Sequence, residues 1–413
     1  MEKTDLLNKI IGNYLISEKF NGYPLSTLGA EKEKIIALVK KGKIEINFGD
    51  KHPNPHIKAF ELDDKQIQIR KISNLGLENS CAYPTKEVLK TVVDTNKFRD
   101  KPFTLKIALG EPVLNFAPFD LRVLEFYRND PRYRYSTDDI SGFISICDEY
   151  NCSTEVRESD KILLQSFGFC YEKQKLERAV AVFYCYLAML TPEHQKIWHS
   201  KLLPEDYFLH PNYEMITLGH FPEEVPIFTA FVEELYTINE FSKLIGRPNF
   251  FKNDYKENMP KEFGFLIRPT RKEFISFVHL LDKMISDNIN KEFFKKNEVT
   301  QEVETKRSDG KITISHKGTI TLLEEWLKKF RSPDPQPKIE MIKSFRKIRE
   351  MRGPIAHEIK DDVFDQKYFK EQRDLIIEAY KAIRTLRLIL ANYPLTKSYN
   401  VPDWLFKGKI CTF

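Results

Sequence analysis

Near the C-terminus the chain reads Lys343-Ser-Phe-Arg346-Lys-Ile-Arg349-Glu-Met-Arg352-Gly-Pro-Ile-Ala-His357. Three arginines recur every third residue on a segment with helical spacing, and a histidine stands five positions after the last. Like charges this close on a helix repel by about 0.2–0.5 kcal/mol per pair. A ladder that accepts two such pairs is expected to face something anionic. At about 100° per residue, Arg349 and Arg352 fall inside the apolar arc of Met341, Ile342, Phe345 and Ile348. They are therefore expected to point at a cleft or a partner and not freely into solvent.

Working outward, the surrounding sequence predicts four helices. The first covers about 270–290, with Phe274, Phe277, Val278, Leu281 and Ile285 on one face and Thr270 as N-cap. The second, about 319–330, turns Ile320, Leu323, Trp326, Leu327 and Phe330 inward. The arginine helix follows at 338–352, beyond Pro333, Pro335 and Pro337. The last spans about 366–392 and stops before Pro394. Between the first two, two alternating segments flank Ser308-Asp309-Gly310, a hairpin signal. The expected fold class is mainly α with a mixed α/β N-terminal region, ending in a four-helix bundle.

The rest of the chain is read more coarsely. Helices are expected at 2–19 and 30–41 and strands at 43–48, 65–72 and 103–109, which makes the first part mixed α/β and winged-helix-like. Helices are also expected over 172–190 and 222–245, giving a mostly helical middle. Residues 246–268, with two glycines and two prolines, read as a linker. The expected division is 1–118, 119–265, 266–395 and a tail at 396–413. The segment Tyr127-Arg128-Asn-Asp-Pro-Arg132-Tyr-Arg134-Tyr interleaves arginine with aromatics, so Arg128 and Arg132 are RNA-contact candidates. Turn chemistry at Asn129-Asp-Pro and ordinary Arg–Tyr surface packing are the stronger alternative there.

The chain has 413 residues with 41% hydrophobic and 13% aromatic content, enough for two or three domains. Its net charge of +5 does not announce a nucleic-acid binder, so any such surface must be a local patch. The six cysteines include no Cys-x2-Cys pair, and Cys147 and Cys152 are too loosely spaced for a redox pair; a structural zinc site is not expected. His52-Pro-Asn-Pro-His56 lacks further ligands to complete a metal shell, and a proline-stiffened loop explains it better. No apolar run approaches a membrane span and no signal core opens the chain, so a cytoplasmic location without membrane contact is expected. Phosphate-binding loops, dinucleotide fingerprints, serine-hydrolase elbows and zinc-protease helices are all missing. No metal or other cofactor is expected.

Arg352-Gly-Pro-Ile-Ala-His357, after a basic helix and before a long amphipathic one, resembles the Arg-x(4–6)-His motif of the HEPN superfamily. The resemblance covers roughly residues 266–395. It implies a four-to-five-helix bundle and, for many members, a metal-independent endoribonuclease used in toxin–antitoxin, CRISPR and abortive-infection defence. It also implies a homodimer, because two motifs from two subunits form one composite site. By that resemblance Arg352 and His357 are the catalytic pair, and an antitoxin, sensor or activator protein is an expected partner. The chemistry suits the residues: His357 titrates near neutrality, and Arg352 offers a fork of donors to phosphate oxygens. Arg346 and Arg349 fall to RNA-phosphate contacts or to the dimer interface. The sequence departs from the family pattern at Gly353, where a polar residue often stands. Two other readings remain open. Arg346 pairs with Glu350, Arg352 with Glu358 or an acidic side chain from another helix, and His357 is an ordinary core or capping residue; or the chain is a non-catalytic dimerisation or RNA-binding module with a DNA-binding N-terminus.

Overall fold

In a computed structural model the described residues are 6–17, 19–26, 31–204, 206–295, 299–306, 312–331, 333–352 and 361–413. About 46% of the described residues are helical and 17% are in strands, with several antiparallel sheets, so the fold is mixed α/β. That overturns the expectation of a mainly α protein closed by a separate C-terminal bundle. The chain divides into two units, Met1–Leu209 and His210–Phe413, and not at 118 or 265. Residue 118 lies inside the strand Phe116–Phe119. Leu266 is core, its amide donating to the fully buried Gln372 Oε1 at 2.8 Å.

The first unit contains two antiparallel sheets. In the smaller, Ser80–Pro84 runs between Tyr23–Pro24 and Ile44–Phe48. The larger orders Phe116–Phe119, Arg178–Phe183, Leu163–Glu172, Ser141–Ile146 and Tyr133–Thr137, with Tyr207–Leu209 also paired to Leu163–Glu172. The middle of the chain is therefore not mostly helical. Every residue of Arg178–Phe183 is buried, and a short run buried on both faces cannot be told from a buried helix by its periodicity. A turn at 173–176 breaks the expected helix over 172–190. The Glu172 carboxylate caps that turn, accepting from the amides of Gln174, at 3.0 Å, and Lys175, and Leu176 takes a positive φ of 55°.

Two expected strands are helices. Lys65–Leu75 buries Gln68 and Ile72 at i, i+4, and the Gln68 side chain accepts from the Ile46 amide at 2.8 Å. The alternation of Ile67 and Ile69 is incidental to that stripe. Pro102–Ala108 starts on a proline, a residue suited to a first turn because its missing amide hydrogen costs nothing there. Its next two amides donate to the buried Gln195 Oε1 at 3.2 and 3.3 Å.

In the second unit, Ile227–Leu244 and Gln336–Met351 both pack along Lys367–Ala391, while Arg271–Ile285 and Thr319–Leu327 pack on Gln336–Met351. Thr270 caps Arg271–Ile285 as its sequence predicts, accepting from the Glu273 amide at 3.4 Å. Glu302–Lys306 and Ile312–His316 pair antiparallel; the expected turn at 308–310 lies outside the described residues. The expected linker is core: Phe263 and Phe265 pack on Phe228 with ring centroids 5.0 and 4.8 Å apart. Between Ile227–Leu244 and Lys367–Ala391 lies a buried ion pair, Arg387 Nε donating to Glu234 Oε2, with the Tyr380 hydroxyl on Oε1 at 3.3 Å. Burial holds the Glu234 carboxyl above its ordinary range even beside Arg387. No helix among the described residues is long and apolar enough to cross a membrane.

Two stability outcomes follow. Arg387→Met leaves Glu234 buried and unpaired, with an expected loss of about 3–5 kcal/mol in urea denaturation that Glu234→Leu/Arg387→Met together largely recovers. In the first unit, Trp198 Nε1–H donates to the Tyr127 hydroxyl at 2.9 Å, which reaches His194 Nδ1 at 2.8 Å. His194 Nε2 faces the Tyr133 hydroxyl at 3.3 Å, which donates to the Asp160 carbonyl at 3.0 Å. The network assigns a neutral ring accepting at Nδ1, and burial lowers the His194 pKa from its ordinary 6.5. The unfolded chain binds this proton more readily than the folded one, so the stabilisation is complete above pH 6.5 and fades as pH falls below it. The denaturation midpoint is expected to drop on acidification through that window, with a flatter profile in His194→Gln.

Candidate functional site

The arginine helix, Gln336–Met351, opens with a proline in its first turn and buries Met341, Ile342, Ser344, Phe345 and Ile348. That stripe turns Arg349 and Arg352 toward Arg271–Ile285, where Asp282 waits with none of its side chain exposed. The two guanidiniums, 37% and 38% exposed, meet Asp282 and the half-exposed Asp287. Asp282 Oδ2 accepts from Arg349 Nε at 3.4 Å and from Arg352 Nη1 at 3.0 Å. Asp287 accepts from Arg349 Nη2 on one oxygen and from Arg352 Nη1, at 2.9 Å, on the other. Each arginine thus bridges both aspartates. The anion that the ladder is expected to face is part of the same chain.

Two charges of each sign make the cluster neutral, and the carboxylates push the Arg352 guanidinium further above its ordinary value, Asp282 most. The cluster is nonetheless not saturated. Arg352 uses only Nη1; among the described residues its Nε and Nη2 have no partner, and these form one of the two edges that fit a phosphate bidentately. Asp282 Oδ1, His279 Nε2, Ser286 Oγ and Ser344 Oγ are buried with no hydrogen-bond partner among the described residues. Buried polar atoms are nearly always bonded, so four such atoms on these two segments mark capacity for a ligand, water or conformational change. His279, Asp282 and Ser286 share one helix face at i, i+3 and i+7.

The other expected site residues lie elsewhere. Arg346 does not pair with Glu350; its Nη2 reaches Glu324 on Thr319–Leu327. His357, Gly353 and Glu358 lie outside the described residues. Arg128 and Arg132 belong to the first unit. Arg132 is bound to Asp130 at 2.7 Å and Asp160 at 2.8 Å and lies 5.7 Å from the Tyr133 ring, which is the surface-packing alternative. Among the described residues, the structure therefore brings together Arg349 and Arg352 and no other pair of the expected ones. The acid from another helix that the sequence reading allows for Arg352 is Asp282, joined by Asp287; neither residue is singled out by the sequence reading. The available signal is a carboxylate four residues after Val278 on the helix's apolar arc, where an unpaired acid is rarely tolerated.

Among the described residues no group of three or more His, Cys, Asp or Glu side chains is placed to hold a metal ion. Cys411 Sγ lies 3.6 Å from His210 Nε2, but His210 Nδ1 accepts from the Asn212 amide at 3.1 Å. The proton is then on Nε2, so the ring cannot take one from the thiol.

The shared carboxylates predict strong coupling between the arginines. Either Arg349→Ala or Arg352→Ala leaves Asp282 one guanidinium, whereas the double variant strands a buried charge. The loss of denaturation midpoint in the double variant is expected to exceed the sum of the single losses, with Asp282→Asn relieving most of it.

A scan against protein-family models finds no match, and searches of curated proteins and of solved structures find none either.

Proposed function

We propose that the chain is a metal-independent endoribonuclease in which Arg352 stabilises charge on the scissile phosphate and His357 transfers the proton. One observation carries this reading. Arg352 sits at the end of its helix, fixed to two carboxylates through one nitrogen, with an Nε/Nη2 edge unused among the described residues and partly exposed. His357 follows five residues later. A held guanidinium loses little freedom when phosphate binds, and its charge is in place before the pentacoordinate phosphorane forms. As a ribose 2′-oxygen bonds to the adjacent phosphorus, the P–O5′ bond breaks and the 2′-OH proton is passed to the departing 5′-oxygen; this needs charge stabilisation and proton transfer, and no metal.

The HEPN resemblance of Arg352…His357 adds the proposal that two copies contribute one composite site, so the active form is a homodimer. Arg346 and Arg349 serve as phosphate contacts or interface residues in this reading. A nuclease of this kind harms its own host unless restrained, which suits a toxin or anti-phage role held in check by a partner protein.

A second reading is favoured by the neutrality of the cluster. Arg349 and Arg352 then tie two helices together, and the chain is a non-catalytic RNA-binding or dimerisation module.

The two separate in a cleavage assay in EDTA. Wild type is expected to produce fragments ending in 2′,3′-cyclic phosphate, and His357→Ala to lose about 10²–10⁴-fold in rate. Arg352→Lys, which keeps the charge but not the fork, is expected to lose rate as well. Equal, background-level cleavage by wild type and variants supports the structural clamp.

A further inference from the structure

The arginine helix has a second working face. Beside Thr319–Leu327 it borders an open groove of about 680 Å³, floored by Leu327, Pro335, Ile339 and Ile342. Ile339 is 55% exposed, an apolar side chain left in solvent at the centre of the groove. The groove residues on the helix run from Pro335 to Glu350, a length of about 22 Å at 1.5 Å per residue. That is an elongated trough, suited to three or four turns of a second helix and not to a compact ligand.

The rim selects the occupant. Arg346 is compensated by Glu324 and Lys347 by Glu378. Lys328, Lys338 and Lys343 also line the groove, and none of the three has a carboxylate partner among the described residues. Lys338 donates only to the Phe330 carbonyl, at 2.7 Å. Against them stands Glu350 alone. An apolar floor with an excess of lysines calls for an apolar stripe flanked by acids. A second copy of this face would bring lysines against lysines.

We infer that this groove binds an acidic amphipathic helix of another polypeptide, apolar at i, i+3/i+4 and i+7 with Glu or Asp on both flanks. The inference is independent of the nuclease reading. Because Arg346 lies within one turn of Arg349 and Glu350 within one turn of both Arg349 and Arg352, an occupied groove would rest on the helix that carries the guanidinium pair.

The probe is a designed 18-residue helical peptide with leucines at that spacing and flanking glutamates. Its controls are the same leucine stripe flanked by lysines, and the same glutamates with the leucines replaced by serine. Fluorescence anisotropy with the full chain is expected to show the leucine/glutamate peptide binding at least about tenfold tighter than either control, the sum of a few exposed charge pairs plus the apolar stripe. Ile339→Asp, at an exposed position that folding does not need, is expected to abolish that binding. Lys328→Glu/Lys343→Glu is expected to reverse the preference toward the lysine-flanked peptide. Indistinguishable affinities for the three peptides, or an unchanged Kd in Ile339→Asp, would overturn the inference. So would an oligomeric state of the free chain that Ile339→Asp abolishes, since a second copy would then be the occupant.

Discussion

A carboxylate with no solvent exposure sets the terms for the second unit. Asp282 sits in the contact between Arg271–Ile285 and Gln336–Met351, and a buried ion left unpaired costs several kcal/mol. The repulsion along the arginine ladder amounts to a few tenths per pair, an order of magnitude less. The ladder is therefore tolerated because Asp282 requires it, and Asp287 completes the neutralisation. Registry between the two helices follows, since both guanidiniums reach both acids only when Arg349 and Arg352 lie opposite the end of Arg271–Ile285.

The same geometry leaves functional capacity. A fully paired guanidinium would be a strut and nothing more. Among the described residues Arg352 is held by one nitrogen, and a carboxylate oxygen, an imidazole nitrogen and two hydroxyls nearby are buried without partners. Such atoms weaken a fold that gains nothing else from them. The arginine helix thus divides into three strips: an apolar seam in the core, a charged strip on the aspartates, and a lysine-rimmed strip beside Thr319–Leu327.

Legibility in the sequence tracks how long and how strictly periodic each element is. The helices of the second unit, with apolar residues at i, i+3 and i+4 and a threonine cap at Thr270, are legible from residue spacing alone. The first unit is not, for three local reasons. Lys65–Leu75 alternates by accident around a stripe built on Gln68, a polar residue whose burial no pattern announces. Pro102–Ala108 is short and draws its N-terminal hydrogen bonds from Gln195, far away in sequence. Arg178–Phe183 is buried on both faces, so its run of small and branched residues carries no period. The spacing of the arginines does reveal that they face something anionic, yet it hides their partners. Asp282 and Asp287 lie about 65 residues upstream, and one sequence holds no record of such a pairing.

In the proposed reading Arg352 is held for a phosphate and not only for Asp282. Its Nε–H can be followed by ¹⁵N NMR while an RNA oligonucleotide with 2′-O-methyl groups, which cannot attack its own backbone, is titrated in. The expected result is a saturating shift of the Arg352 Nε–H signal, with Arg387 Nε–H, buried on Glu234, moving little. An Arg352 signal that stays in place at RNA concentrations where the chain is fully bound would contradict the claim and leave the cluster a structural clamp.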